Sequence, residues 1–282
     1  MGNEYVLKLS SLFKSYGNND VLCGLNLTLN RGECVGVVGK NGTGKTTLLK
    51  IISDLLRHYY GYVDLRGNSV ASLIDTPIFI NDFTGRDNIE YMLDKQFRDR
   101  AIEIIKNMNM TNYLDKPVGK YSQGMRQKLA IAIVFATDPD IILLDEPFNS
   151  IDIDSSEYVI KLINEFKSKN KGIIVVTHNV TKIESYCDRI LTLKNGVLNQ
   201  FEKTLTDVQQ YRFSFLSEQD AIMAQIELGE YTLDKESAKT LLVTFDSGNL
   251  PTIIKRLVHC NVTDVKEINL EITLNKCGDK DA

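Results

Sequence analysis

Cys34-Val35-Gly36-Val37-Val38-Gly39-Lys40-Asn41-Gly42-Thr43-Gly44-Lys45-Thr46-Thr47-Leu48-Leu49 decides the fold. Its first five residues are a short apolar run, as in a strand buried on both faces. Gly39 to Thr46 matches G-x-x-x-x-G-K-[ST] in full, and Thr46 to Ile52 begins a helix. Strand, Gly-rich turn and helix is the context a phosphate-binding loop requires. The glycines let backbone N–H groups turn inward around anionic oxygens. The helix aims its positive end at the same anions. Lys45 then reaches the outer phosphates, and the Thr46 hydroxyl faces Mg²⁺. The plain alternative is a Gly-rich turn with a chance lysine.

Before it, Leu25, Leu27 and Leu29 alternate with Asn26, Thr28 and Asn30, which is strand periodicity. Helical spacing covers Arg86 to Leu93, Asp99 to Met108 and Met125 to Ala136, the last with Leu129, Ile133 and Val134 on one face. Ile141 to Leu144 and Ile173 to Val176 read as two further buried strands. The alternation predicts an α/β domain with a largely parallel sheet. Ile190 to Leu198 reads as a hairpin turning at Asn195-Gly196. Past Leu205 the chain reads as a small α+β appendage, with strands at Lys239–Phe245 and Val262–Ile268 and a helix at Asn249–His259.

The 282 residues are 43% hydrophobic and 25% charged, ordinary for a globular chain. The net charge of -4 gives no support for a nucleic-acid partner. No apolar run approaches the ~20 residues needed to cross a bilayer, and the first ten residues lack a signal-peptide pattern. A cytoplasmic protein is therefore expected, held at any membrane by a partner. The five cysteines show no metal-ligand spacing and read as reduced thiols.

Asp145-Glu146 follows the strand Ile141–Leu144, about a hundred residues after the phosphate loop. Ligands of open α/β sheets bind outside the carboxyl ends of the strands. There Asp145 would hold Mg²⁺ and Glu146 would orient or deprotonate an attacking water. Taken alone, such an acidic pair is often a solvated strand end. Ser122 and Gly124, in Tyr121-Ser122-Gln123-Gly124-Met125, stand just ahead of a helix and twenty-odd residues before Asp145. In this order the chain resembles the ATP-binding cassette (ABC) ATPases, whose signature is Leu-Ser-Gly-Gly-Gln. It departs from that signature at Tyr121, Gln123 and Met125. Ser122 is equally suited to capping the helix.

The resemblance covers roughly Tyr5 to Leu198. It implies a P-loop NTPase of ABC type, residues 1–204, with a helical subdomain at about 76–138 and an accessory domain at 205–282. It implies ATP held by Gly39, Lys40, Asn41, Gly42, Thr43, Gly44, Lys45, Thr46 and Thr47, with Tyr16 stacked on the adenine. His178 looks like the switch histidine at the γ-phosphate. Ser122, Gln123 and Gly124 would serve the nucleotide bound by a second subunit, a copy or a paralogue. Asp152, in Asn149-Ser150-Ile151-Asp152, is similar to the loop that touches the opposite subunit. The metal set implied is Thr46, Asp75 and Asp145. Asp75 stands where the family usually has Gln and where the bacitracin and lantibiotic exporter branch has Glu. The expected protein is thus the ATPase subunit of a peptide or antibiotic exporter, dimeric and coupled to a separate permease on the inner face of the membrane.

A lone histidine after a strand, like Tyr16 on a surface, is also compatible with a structural role. Non-transport members are the alternative class. Repair members insert long coiled coils, but only 76 residues separate Lys45 from Tyr121, without sustained heptads. Translation members usually carry two cassettes. An ATP sensor that hydrolyses poorly is disfavoured by Glu146 and His178 and left open by the altered signature.

Overall fold

The computed structural model describes residues 5–74, 78–201, 208–229, 231–246 and 250–268. The chain divides into two compact units, Met1–Phe201 and Glu202–Ala282.

The first unit is built on two sheets. A six-stranded sheet runs β5 (Val70–Leu73), β6 (Ile141–Asp145), β7 (Gly172–Thr177), β3 (Cys34–Val38), β8 (Arg189–Lys194) and β9 (Val197–Gln200). All its pairings are parallel except β8 with β9. A three-stranded antiparallel sheet orders β2 (Asn19–Asn30), β1 (Tyr5–Tyr16) and β4 (Tyr60–Asp64).

Successive side chains of a strand face opposite sides, and here that alternation divides two cores. Val35, Val37, Ile141, Leu143, Ile174 and Val176 pack with the antiparallel sheet and with helix α1 (Lys45–Ile52). Cys34, Val38, Ile142, Leu144, Ile173 and Val175 pack with the helical layer. That layer holds α2 (Gly85–Met92), α3 (Lys95–Asn107), α4 (Gln123–Ala136) and α5 (Ile153–Ser168). Burial on both faces explains why these strands read as unbroken apolar runs.

Three details differ from the sequence reading. Helix α4 starts at Gln123, because the Ser122 hydroxyl accepts the Met125 N–H and caps it. Its second half, Leu129 to Ala136, is buried on every side and not on a single stripe. The stretch around Ala71 opens as the edge strand β5, pinned where Asp140 accepts from the Ser69 N–H and hydroxyl. The Asn195-Gly196 turn has positive φ at both residues, 51° and 75°, as a tight hairpin of this hand requires.

The second unit is a four-stranded antiparallel sheet, ordered β11 (Thr232–Ser237), β12 (Thr240–Asp246), β10 (Val208–Phe215) and β13 (Val262–Ile268). Helices α6 (Glu218–Glu227) and α7 (Leu250–Arg256) accompany it. Tyr211, Phe213, Phe215, Leu241, Val243 and Phe245 form its core, with Tyr211 stacked on Phe245 at 4.8 Å. Strand β10 and helix α6 did carry sequence signals. They are the alternation Tyr211, Phe213, Phe215 and the Ser217/Asp220 capping box. No helix among the described residues is long and apolar enough to cross a membrane.

Candidate active site

Strand β3 delivers the chain into the loop Gly39–Gly44, and α1 leaves it at Lys45. Gly44 is left-handed at φ 104°, and a Cβ there would stand 2.7 Å from a Val21 methyl. Only glycine suits both demands. Lys45 is 6% exposed, and its Nζ donates to the carbonyls of Gly39 (2.6 Å) and Lys40 (3.1 Å). Burial lowers its pKa, opposed by the charges of Glu146 and Asp145.

Strand β6 brings Asp145 to the same place. The Thr46 hydroxyl donates to Asp145 Oδ2 at 2.6 Å, joining residues 99 positions apart. Glu146 follows at φ 47°, its N–H bonded to the Val176 carbonyl of β7. Its carboxylate is held on one side by the Thr177 hydroxyl at 2.9 Å. On the other it accepts the His178 N–H at 2.8 Å and meets His178 Nδ1 at 2.6 Å. The two strand ends therefore fix Glu146 and His178 as one hydrogen-bonded pair.

A cavity of about 370 Å³ opens between these elements. Tyr16, Val21, Asn41, Gly42, Gly44, Lys45, Thr46, Thr47, Asp145 and Glu146 line it. Tyr16 is half exposed, with Lys14 Nζ 4.6 Å from its ring centroid. Lys40 is exposed within the loop, and the Thr43 hydroxyl donates to the Lys40 carbonyl at 3.0 Å. A basic, N–H-rich loop facing two carboxylates suits a phosphate ester. The adjacent Thr46 and Asp145 oxygens are hard donors, the type a Mg²⁺ ion takes when phosphates complete its shell. No cluster of three or more metal-ligating side chains occurs among the described residues.

Ser122, Gln123, Gly124 and Asp152 are not among the residues lining this cavity. They form a second assembly. Ser122 caps α4, and Gln123 is exposed. Gly124 lies against the loop before α5, where a Cβ would come within 2.1 Å of the Ser150 carbonyl. Asp152 caps α5 by accepting the Ser155 N–H at 2.9 Å, and it pairs with Lys128. The Lys128 ammonium holds the Asp152 carboxyl well below the usual range. Lys128, itself buried, also donates to the Met108 carbonyl at 3.1 Å. Asp75 lies outside the described residues. Thr177, Val21 and Lys128 were not singled out from sequence; nothing in their local pattern marks them, since each acts through a contact made in the fold.

Residues 22–149 match the protein-family model described as ABC transporter. The O-antigen export system ATP-binding protein RfbB of Myxococcus xanthus is 34% identical over 198 residues, which is 68% of this chain and 45% of that protein. The chain thus spans about half the length of that relative. The ABC transporter ATP-binding protein NatA of Bacillus subtilis is 32% identical over 190 residues, 61% of this chain and 77% of NatA. The uncharacterized ABC transporter ATP-binding protein YcbN of the same organism is 27% identical and covers 95% of this chain and 94% of its own. Among solved structures, an ATP-binding cassette dimer in a post-hydrolysis state with ADP and phosphate aligns with a TM-score of 0.62. It is 27% identical and covers 70% of this chain and 98% of that one. An ATP-binding subunit of an ABC transporter aligns at 0.64 and 26% identity, covering 68% and 88%.

Proposed function

The chain belongs to the ABC transporter family of ATP-binding subunits, and we propose that it hydrolyses ATP to drive a separate membrane permease that exports a peptide. One observation carries the reading: the phosphate loop, the Thr46–Asp145 contact and Glu146, which His178 holds from behind the lining, meet at one cavity. Lys45 would exchange its two loop carbonyls for phosphate oxygens. Thr46 and Asp145 would hold Mg²⁺, which supplies charge neutralisation at the phosphates. Glu146 would orient and deprotonate the attacking water, with His178 holding Glu146 in place and facing the γ-phosphate. Tyr16, at the rim, offers a ring to the adenine.

The assembly of Ser122, Gly124 and Asp152, away from this cavity, supports a dimer in which each signature helix closes over the nucleotide of the other subunit. An apolar groove of about 530 Å³ supports the permease partner. It is lined by Leu55, Leu73, Ile74, Ile78, Met92 and Ile133, with Ile78 91% exposed. A short amphipathic helix from a permease loop suits such a groove.

The peptide cargo is supported by Asp75, an acidic residue at the place where the bacitracin and lantibiotic exporter branch has Glu. A second reading, export of a surface polymer, is favoured by the O-antigen relative and by the teichoic acids export protein TagH of Lactococcus lactis, 30% identical over 217 residues. Deleting the gene tests both. Sensitisation to membrane-active peptides with normal surface glycan supports peptide export. Loss of surface glycan overturns it. Tagged protein purified from membranes should bring a multi-span permease with it; recovery of ribosomes or DNA instead would overturn the transporter reading.

A further inference from the structure

Cys34 and Cys187 are 153 positions apart in sequence, yet their sulfurs lie 3.5 Å from one another. Cys34 opens β3, the strand that runs directly into the phosphate loop, and it is fully buried. Cys187 is partly exposed and closes the segment that begins at His178. Two hydrogen bonds hold the end of the segment against Cys34, and two more from Lys167 brace it. Asp188 N–H donates to the Cys34 carbonyl at 2.9 Å, and Cys34 N–H donates to Asp188 Oδ2 at 2.8 Å. Lys167 Nζ donates to the Tyr186 carbonyl at 3.0 Å and to Asp188 Oδ1 at 2.8 Å. The sulfur contact with Cys187 and burial raise the Cys34 pKa, while Lys167 lowers it. Nothing in the proposed ATP chemistry uses either thiol.

We infer that Cys34 and Cys187 form a reversible redox pair, whose disulfide staples the strand feeding the phosphate loop to the segment carrying His178 and slows ATP turnover. The oxidant is a low-molecular-weight disulfide such as oxidised glutathione. The partly exposed Cys187 thiolate attacks one of its sulfurs, leaving a mixed disulfide and one glutathione thiol. Cys34 then gives up its proton and attacks the Cys187 sulfur, forming the intramolecular bond and expelling the second glutathione thiolate, which takes up that proton. Two protein thiols are oxidised and one glutathione disulfide is reduced to two thiols. Contact between the sulfurs makes the second step effectively intramolecular, which compensates for the low thiolate fraction of a buried thiol. Such transient bonds are the kind found in reducing compartments.

The functional half of this inference rests on the ATPase reading; the bond itself does not. The full chain is incubated with oxidised glutathione, alkylated, and mapped by peptide mass spectrometry, with phosphate release measured in parallel. The expected result is a Cys34–Cys187 linked peptide and a several-fold loss of turnover, both reversed by dithiothreitol. C187S and C187A should form no link and keep full turnover in oxidant. A stable glutathione adduct on Cys187 without the linked peptide overturns the pair. A linked peptide with unchanged turnover overturns its control of the site. Absence of turnover in the reduced protein would speak against the ATPase reading instead, and the linked peptide then still decides the pair.

Discussion

Replacing Glu146 with Gln keeps the side chain's volume and removes its charge. The amide oxygen can still accept the two His178 contacts, at 2.8 Å and 2.6 Å, while its NH₂ can donate to the Thr177 hydroxyl, which now turns to accept. The loss to stability is that of charge-assisted bonds becoming neutral ones, about 1 kcal/mol. The variant therefore folds. What it loses is the carboxylate proposed to act as base. A positioned general base contributes about 10² to 10⁴ in rate, or about 3–5 kcal/mol of barrier at 1.36 kcal/mol per decade. Nucleotide affinity, assigned to the loop in the proposed function, should change by no more than a few-fold. With hydrolysis slowed and binding intact, an ATP-closed dimer should accumulate. Phosphate release gives the rate, nucleotide titration the affinity, and light scattering with ATP the mass. A rate loss under tenfold in a well-folded variant would refute Glu146 as the base. A variant that stays monomeric in saturating ATP would refute the composite site.

Lys45→Ala removes the buried cation proposed to face the phosphates, and nucleotide titration should show binding abolished; unchanged affinity would show that Lys45 stays on the Gly39 and Lys40 carbonyls. Gly124→Ala puts a methyl 2.1 Å from the Ser150 carbonyl. Forced overpacking costs about 1–3 kcal/mol, so calorimetry should show a lower Tm, and turnover should fall more than ATP affinity. Lys128→Met tests the Asp152 pair by pH. The folded-state pKa of Asp152 is depressed, so its contribution is present above the ordinary carboxylate pKa of about 4 and is lost as pH falls through the folded value. Asp152 is more than half exposed, so solvent screening keeps that contribution to about 1 kcal/mol or less. Denaturant midpoints below about pH 4 should fall less steeply in K128M than in the wild type.

Much of the fold is legible in the residues themselves. Strands buried on both faces announce themselves as apolar runs, and Cys34–Val38, Ile141–Leu144 and Ile173–Val176 do so. The edge strand at Val70–Leu73 is short, only partly buried before Leu73, and shows no such run. Strand β11 is largely polar on a sheet edge and gives no periodicity to read. Helix α4 is apolar all round from Leu129 to Ala136: beside the stripe of Leu129, Ile133 and Val134, Ile131 and Phe135 are buried on another face, and Ala130, Ala132 and Ala136 complete the rest.

The residues alone place a G-x-x-x-x-G-K-[ST] loop between a buried strand and a helix. Glycines at set spacings, a lysine and a threonine are local facts of backbone freedom and side-chain chemistry. Which of these side chains meet is set by the packing of the sheet. Thr46 reaches Asp145, and Glu146 reaches His178, because β3, β6 and β7 are neighbours in a parallel sheet that ends them all on one side. The same sheet order puts Cys34 beside Cys187. It also leaves Ser122 and Gly124 on a separate assembly with Ser150 and Asp152, away from the cavity. Strand order is set by how two cores share the faces of one sheet, and that packing has no trace in any single stretch of chain.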